Sequence, residues 1–532
     1  MKLLTVEEMR SVEEKANQSG LSYQKMMENA GNGLAEVLFS HYGTIGDTTV
    51  VGLIGPGNNG GDTLIALTHL AEAGWESRAY FVRAREEGDR LVSGFIQAGG
   101  EIINGAEDPK RKQLSAWIRS ATVVVDGVLG TGISLPLRGE VAEVLKVVKS
   151  ASFLPHVVAV DCPSGVDCVT GEVAAETIPA ELTVCMEAVK AGLLTFPAFS
   201  FCGEIITVSI GDVKTSDQKL VIDADMVREW LPPRPMDAHK GSFGTTLILA
   251  GSVNYPGAAL LAARSAYRVG SGLVTCGAIA PLQQSLAGQI PEATWLVLPG
   301  EMGVISQKAA EIVQRNLERV TAILLGPGFG MEETTGQFIS ALFEPVSHPR
   351  RAAIGFVGTH EKEKADALVE NHLPPVVIDA DGLKLLAKTE NWWKMLPETC
   401  ILTPHPGEMA VLTGLEVSEI QSNRMETARK MADQWGQVVV LKGALTVIAE
   451  PKGRVGVIPV ASPALARAGT GDVLAGMITG LRAQGLAPFE ASAAGAWVHA
   501  QAGLLAAEKI GHVASVLAGD VIEAIPDVLT EL

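Results

Sequence analysis

Residues 48–75 read TTVVGLIGPGNNGGDTLIALTHLAEAGW. The first seven residues form a short apolar run rich in β-branched side chains, as a buried strand does. From Leu64 onward the apolar positions recur at helical spacing. The stretch between them, GPGNNGGDT (55–63), therefore turns a strand into a helix. Gly55, Gly57 and Gly60 match G-x-G-x-x-G, the spacing of dinucleotide-binding turns. That pattern needs an acidic residue at the end of the next strand, yet there the chain reads VRAREEGD (82–89), with arginines ahead of Glu86 and Glu87. The turn also carries Asn58, Asn59 and Asp62, side chains that such turns do not require.

Strand-like runs alternate with helical patterns along the whole chain: RAYFVRA, ATVVVDGV, HVVAVDC, then TTLILAGS, AILLGPG, PVVIDAD, CILTPH and VVVLKG. This alternation predicts βαβ units, a mainly parallel sheet and an α/β fold, with ligands outside the carboxyl ends of the strands. A length of 532 residues exceeds what one core organises, so two domains are expected. The proline-rich stretch LPPRPMDAHKG (231–241) and the polar VKTSDQK before it place the cut within 212–240, with domains at 1–218 and 224–532. Residues 344–363 read as a loop or small insertion.

The net charge of −18 argues against a nucleic-acid or anionic-membrane partner, both of which need a basic surface. It leaves nucleotides open, because glycine turns and helix N-termini hold phosphates locally. Six cysteines without C-x-x-C spacing fit reduced thiols and a cytoplasmic location. The start, MKLLTVEEMRS, turns acidic too early for a signal peptide, and no apolar run is long enough to span a bilayer. The apolar content of 47% leaves surface for a homo-oligomer, without revealing its symmetry.

Two further strand ends in the first half carry chemistry. VVVDGVLGTGISLPLRG (123–139) places Asp126 before a second glycine loop, and VVAVDCPSGVD (157–167) places Asp161 three residues before Ser164. Oxygens from Asn59, Asp126 and Ser164 suit a hard, weakly charged cation. Asp161 is a candidate general acid or base. Each has a plainer reading: Asp62 as a helix cap, Ser164 as a turn residue. Three such strand ends together outweigh those readings.

In the second half ARAGTGDVLAGMITGL (466–481) offers backbone N–H groups at a helix start, with Asp472 beside the place a phosphoryl group would occupy. Its plainer reading is again a cap. LKGALTVI (441–448) suits nucleotide phosphates, LLGPGFG (324–330) ends a strand in glycines, and LTPHPGEM (402–409) holds His405 between two prolines. No G-x-x-x-x-G-K-[ST] occurs, which excludes a P-loop.

The first-half motifs, in this order, resemble the YjeF N-terminal family of NAD(P)H-hydrate epimerases. The resemblance implies a Rossmann-like αβα domain over residues 1–218. It implies that Asn58, Asn59, Gly60, Gly61 and Asp62, with Gly130, Thr131, Gly132, Ile133, Ser134, Leu135 and Pro136, contact a hydrated nicotinamide dinucleotide. Asn59, Asp126 and Ser164 would hold potassium, and Asp161 would touch the substrate and transfer a proton. Two residues depart from the family: Thr63 stands where glycine is usual, and Gly127 where alanine is common.

TPHPGE, KGA-x-T and AGTGD resemble the ribokinase-like, ADP-dependent NAD(P)H-hydrate dehydratases. This implies an αβα domain over 224–532, with magnesium and with ADP as phosphoryl donor. Lys442, Gly443, Ala444, Leu445, Thr446 and Gly471 would contact the nucleotide. Ala258, Gly328, Gly330, His405 and Asp472 would contact the hydrated NADH or NADPH, with Asp472 as base. The sequence does not itself separate ADP from ATP. An ATP-dependent vitamin or sugar kinase fused to a nucleotide-binding domain is the alternative, and a non-catalytic nucleotide sensor a third reading.

Overall fold

The computed structural model describes residues 1–46, 48–86, 88–152, 154–216, 218–344 and 373–532. The stretch expected as an insertion, 344–363, thus lies outside the described residues apart from Glu344. The chain divides into two compact units, Met1–Val221 and Ile222–Leu532.

The first unit is built on seven parallel strands. Their order across the sheet is Glu101–Asn104, Glu76–Phe81, Thr49–Ile54, Val123–Gly127, His156–Val160, Leu182–Met186 and Glu204–Val208. Every residue of Thr49–Ile54 and of Val123–Gly127 is buried, as strands covered on both faces must be. One face packs against Leu34, Leu38, Leu64 and Leu67 of the helices Tyr23–Tyr42 and Asn58–Glu72. The other packs against Leu114, Trp117, Val144 and Leu145. Strand order reverses between Thr49–Ile54 and Val123–Gly127, so the loops following these two strands open a crevice at their carboxyl ends.

The glycine turn itself is shorter than the sequence suggests. The helix begins at Asn58, with Gly57 as its N-cap, and so includes both asparagines. The turn is close-packed. A Cβ on Gly60 would fall 2.1 Å from the Gly55 carbonyl oxygen, and one on Gly55 would fall 1.9 Å from that of Val128. No larger residue fits either place without displacing backbone.

The second unit places seven parallel strands in the order Thr294–Leu298, Leu273–Ile279, Thr245–Leu249, Ala322–Leu325, Val376–Ile378, Ile401–Leu402 and Val438–Leu441. The antiparallel strands Val447–Ala449 and Val455–Val457 extend it. The helix Thr470–Ala483 packs closely on Pro256–Arg268: a Cβ on Gly476 would meet the Ala262 carbonyl oxygen at 2.3 Å. Among the described residues no helix is long and apolar enough to cross a membrane.

Candidate functional site

In the first unit a cavity of about 790 Å³ opens at the sheet's reversal point, bordered by Asn58, Asn59, Asp62, Thr131 and Asp161. Of the loop 130–136 only Thr131 borders it; Gly132, Ser134 and Pro136 are exposed. Arg10 and Glu13 reach the cavity from the helix Val6–Gln18, which Thr5 and Glu8 start with reciprocal side-chain to backbone bonds of 3.1 and 2.8 Å.

Asp161 is only 7% exposed and sits in the left-handed region at φ +66°, which turns its carboxylate off the end of its strand. There it forms an ion pair with Lys190 and accepts from the Met186 N–H at 3.0 Å. Lys190 is 1% exposed and also donates to the Met186 carbonyl oxygen at 3.0 Å. Burial works against the ammonium, but the Asp161 carboxylate prevails and raises its pKa. Lys190 is missing from the sequence reading. The only signal is a lysine within the otherwise apolar AVKAG (188–192).

Asp62 is no cap. It is the fifth residue of its helix, 5% exposed, and its carboxyl has no hydrogen bond or ion pair among the described residues. Burial, then the charges of Asp161 and Glu13, push its pKa well above the ordinary range, against a smaller opposing effect of Lys190.

Ser164 is no mere turn residue. Its hydroxyl donates to Asp126 Oδ1 at 2.6 Å, and its N–H donates to Oδ2 at 2.9 Å. Asp126 is fully buried with no cationic partner among the described residues, and burial raises its pKa despite the two bonds from Ser164. The Leu129 N–H donates to Ser164 Oγ at 2.9 Å, and Asn59 Nδ2 donates to the carbonyls of Leu129 (3.2 Å) and Val160 (2.6 Å). Asn59, Asp126 and Ser164 thus gather around Leu129. Their donor set is one carboxylate and several neutral oxygens.

The departures at Thr63 and Gly127 form one feature. Thr63 is fully buried and its Oγ1 donates to the Asn59 carbonyl at 2.6 Å. A Cβ on Gly127 would lie 2.0 Å from that Oγ1. The threonine occupies the space an alanine methyl would take on the facing strand.

In the second unit Asp472 is the third residue of its helix. The N-cap is Gly469, in the left-handed region, and no side chain caps the end, so the capping reading of Asp472 fails. Its carboxyl is pushed up to about 7, by burial first and then by Asp379, with Lys442 opposing. Lys442 Nζ lies 2.5 Å from Asp379 Oδ1 and 3.8 Å from Glu408 Oε2, and a Cβ on Gly471 would be 3.5 Å from it. Burial disfavours the Lys442 charge, but Asp379 and Glu408 outweigh it and raise its pKa. The carboxylates of Asp379, Asp381, Glu408 and Asp472 thus gather around two ammonium groups, Lys442 and the more exposed Lys384.

His405 both caps and faces the site. Its Nδ1 accepts from the Gly407 and Glu408 N–H groups at 3.0 and 3.2 Å, leaving the proton on Nε2, 3.3 Å from Glu408 Oε1. Its side chain is 52% exposed. Gly328, in the left-handed region, abuts Ala258, and the Gly330 N–H donates to Asp381 Oδ2 at 3.1 Å.

Glu408, Asp379 and Arg424 were not singled out from sequence. Arg424 donates to the carbonyls of Leu441 (2.9 Å) and Lys442 (3.2 Å), beneath the turn that holds Gly443, Ala444, Leu445 and Thr446. Burial lowers its pKa to about 10. In that turn Leu445 adopts φ +56° and Thr446 Oγ1 donates to the Gly443 carbonyl at 2.8 Å.

Residues 246–527 match the family model for NAD(P)H-hydrate dehydratase, and residues 23–192 that for the YjeF-related protein N-terminus. The chain is 34% identical over 522 residues to the bifunctional NAD(P)H-hydrate repair enzyme of Moorella thermoacetica, covering 95% of this chain and 92% of that one. It is 30% identical over 510 residues to that of Escherichia coli, covering 94% and 89%. Among solved structures, the ADP/ATP-dependent NAD(P)H-hydrate dehydratase of Bacillus subtilis, co-crystallised with ATP/Mg2+, is similar at 32% identity and a TM-score of 0.47. That match covers 59% of this chain and 98% of the other.

Proposed function

Because this chain belongs to the family of bifunctional NAD(P)H-hydrate repair enzymes, we propose that it restores hydrated NADH and NADPH in two steps. The first unit interconverts the R and S forms at C6 of the nicotinamide ring. The second dehydrates the S form at the expense of ADP, giving NAD(P)H, AMP and phosphate.

The observation that carries the reading is Asp472: uncapped, largely buried, raised to about 7, at a helix start whose N–H groups point where a phosphoryl group would lie. A carboxyl poised near neutrality is suited to take the C6 hydroxyl proton. The freed oxygen attacks the terminal phosphorus of ADP, and AMP leaves. The ring nitrogen then expels phosphate from C6, and loss of a C5 proton restores the dihydropyridine. Lys442 and the turn Gly443–Thr446, with Gly471, bind the nucleotide. Ala258, Gly328, Gly330 and His405 form the wall for the hydrated ring.

The excess of carboxylates (Asp379, Asp381, Glu408 and Asp472) over the ammonium groups of Lys442 and Lys384 fits a magnesium site. Asp379 and Glu408 would hold the ion, and when bound it neutralises charge on the transferring group. In the first unit Asp126, buried with no cationic side chain beside it among the described residues, fits potassium. With Ser164, Asn59 and the carbonyls around Leu129 it would hold the ion, which supplies a fixed positive charge beside the substrate loop. Asn58 to Asp62 and Gly130 to Pro136 contact the substrate.

The same proposal includes a cytoplasmic location, supported by six unpaired, buried cysteines. It also includes a homo-oligomer, supported by the exposed Leu504, Ile510, Val513 and Leu517 near the C-terminus.

To test this reading, pure R hydrate is incubated with the protein and resolved by chromatography. Both epimers appear without nucleotide, and adding ADP yields AMP and phosphate in step with NAD(P)H. A stable phosphorylated product instead would establish the kinase alternative.

A further inference from the structure

Of the carboxyl groups that border the first unit's cavity, Asp62 and Asp161 stand in different surroundings. Asp161 forms an ion pair with Lys190 and accepts from the Met186 N–H. Asp62 is 5% exposed and receives no hydrogen bond or ion pair among the described residues. An unpaired carboxylate in such a place is costly, and the cheapest remedy is to keep its proton. The other charged groups on the wall do not supply one. Glu13 and Glu28 are acids; of the bases, Lys190 is paired with Asp161, and neither Arg10 nor Arg90 pairs with Asp62. When two neighbouring carboxyls are kept in opposite protonation states, one can act as acid while the other acts as base.

We propose that Asp62 is the catalytic acid of epimerisation, working with the Asp161 carboxylate as base through a ring-opened intermediate. This rests on the epimerase reading given above. The C6 carbon of the hydrate carries both a hydroxyl and the ring nitrogen N1. Asp161 accepts the hydroxyl proton. The C6–N1 bond breaks, its electron pair goes to N1, and N1 takes the Asp62 proton. C6 becomes an aldehyde. Rotation exposes its other face, N1 re-attacks and returns its proton to Asp62, and Asp161 returns the other proton to the new hydroxyl. No proton or electron is gained or lost, and the C6 oxygen never leaves. A route through water loss would pass by way of the iminium, and the C6 oxygen would then come from solvent.

The test uses the full chain and purified R hydrate. Wild-type protein is assayed first, and failure to interconvert the epimers would overturn the epimerase reading before any variant is made. Asp62→Asn is then compared, with ADP-driven dehydration of the S hydrate by the second unit as the internal check on folding. The expected result is a fall in kcat for epimerisation of about 100-fold or more, with KM little changed and dehydration intact. Epimerisation at the wild-type rate, or a rise in KM with kcat kept, overturns the role of Asp62. Should Asp62→Asn not fold, Asp62→Glu keeps a proton donor and is expected to retain at least a tenth of the activity; a folded, inactive Asp62→Glu overturns the role. Oxygen-18 placed at C6 is expected to stay in both epimers. Washout into solvent at the epimerisation rate overturns the ring-opened route.

Discussion

Gly127→Ala probes the packing that sets the first helix turn over the crevice. The new Cβ would lie 2.0 Å from Thr63 Oγ1, 2.9 Å from the Asn59 carbonyl oxygen and 3.0 Å from Thr63 Cβ. Thr63 must rotate or the helix must lift. Rotation breaks the 2.6 Å bond to the Asn59 carbonyl and leaves a buried hydroxyl without a partner, costing about 1–3 kcal/mol. Overpacking at two more short contacts adds about 1–3 kcal/mol. Against this, replacing glycine in a strand returns about 0.5–1 kcal/mol. The expected net loss is about 1–5 kcal/mol, read as a lowered urea midpoint of the first unit's transition by tryptophan fluorescence. Thr63→Gly in the same chain removes the obstructing atoms, so the double variant is expected to be more stable than Gly127→Ala alone. A coupling of about 2 kcal/mol in a double-mutant cycle marks the matched pair. A Gly127→Ala protein as stable as wild type, or strictly additive effects, would refute the reasoning.

Asp472→Asn is expected to lower dehydration by about 100- to 10,000-fold while nucleotide binding by calorimetry is kept; normal turnover would remove Asp472 as the base. In the wild type kcat/KM for dehydration should rise with pH around 7, where this carboxyl loses its proton. Its folded value of about 7 lies above the ordinary 3.8, so the fold favours the neutral form. That contribution to stability is full below about pH 4 and is lost as pH rises through about 7. Denaturation midpoints of wild type and Asp472→Asn, compared across this range, check the sign.

Asp161→Asn is expected to abolish epimerisation, leave dehydration of the S hydrate intact, and cost the first unit about 3–5 kcal/mol, because it strands the buried Lys190; an unchanged epimerisation rate would exclude it as the base. Arg424→Met is expected to weaken nucleotide binding more than tenfold by loosening the turn that holds Thr446. Unchanged affinity in a calorimetric titration would make Arg424 a purely structural group.

The strand ends were legible because glycine, aspartate and proline at fixed offsets leave few backbone alternatives, and the βαβ alternation follows from period and length alone. What escaped was set by distant partners. Lys190 reads as an ordinary lysine after a strand, and only the fold brings it to Asp161, 29 residues earlier in the chain. Glu408 sits in a helix-starting HPGE, where the local rule explains it fully as a cap and conceals its place beside Lys442. Arg424 opens a helix, a position that is usually solvated, yet its guanidinium bonds backbone 17 and 18 residues onward. Asp62 shows the reverse case: the local rule offered a cap, and the helix began five residues too early for it. Thr63 and Gly127 each looked like a small departure, and only their facing positions reveal a matched pair.

The most direct measurement is recovery of reduced-nicotinamide absorbance from an R and S mixture of NADPH hydrate, with magnesium and potassium present, and ADP or ATP in parallel. Full recovery with ADP is the predicted result, because it requires both units to act on one substrate pool. Recovery that stops at the S fraction would contradict epimerisation by the first unit, and no recovery with either nucleotide would contradict the repair activity as a whole.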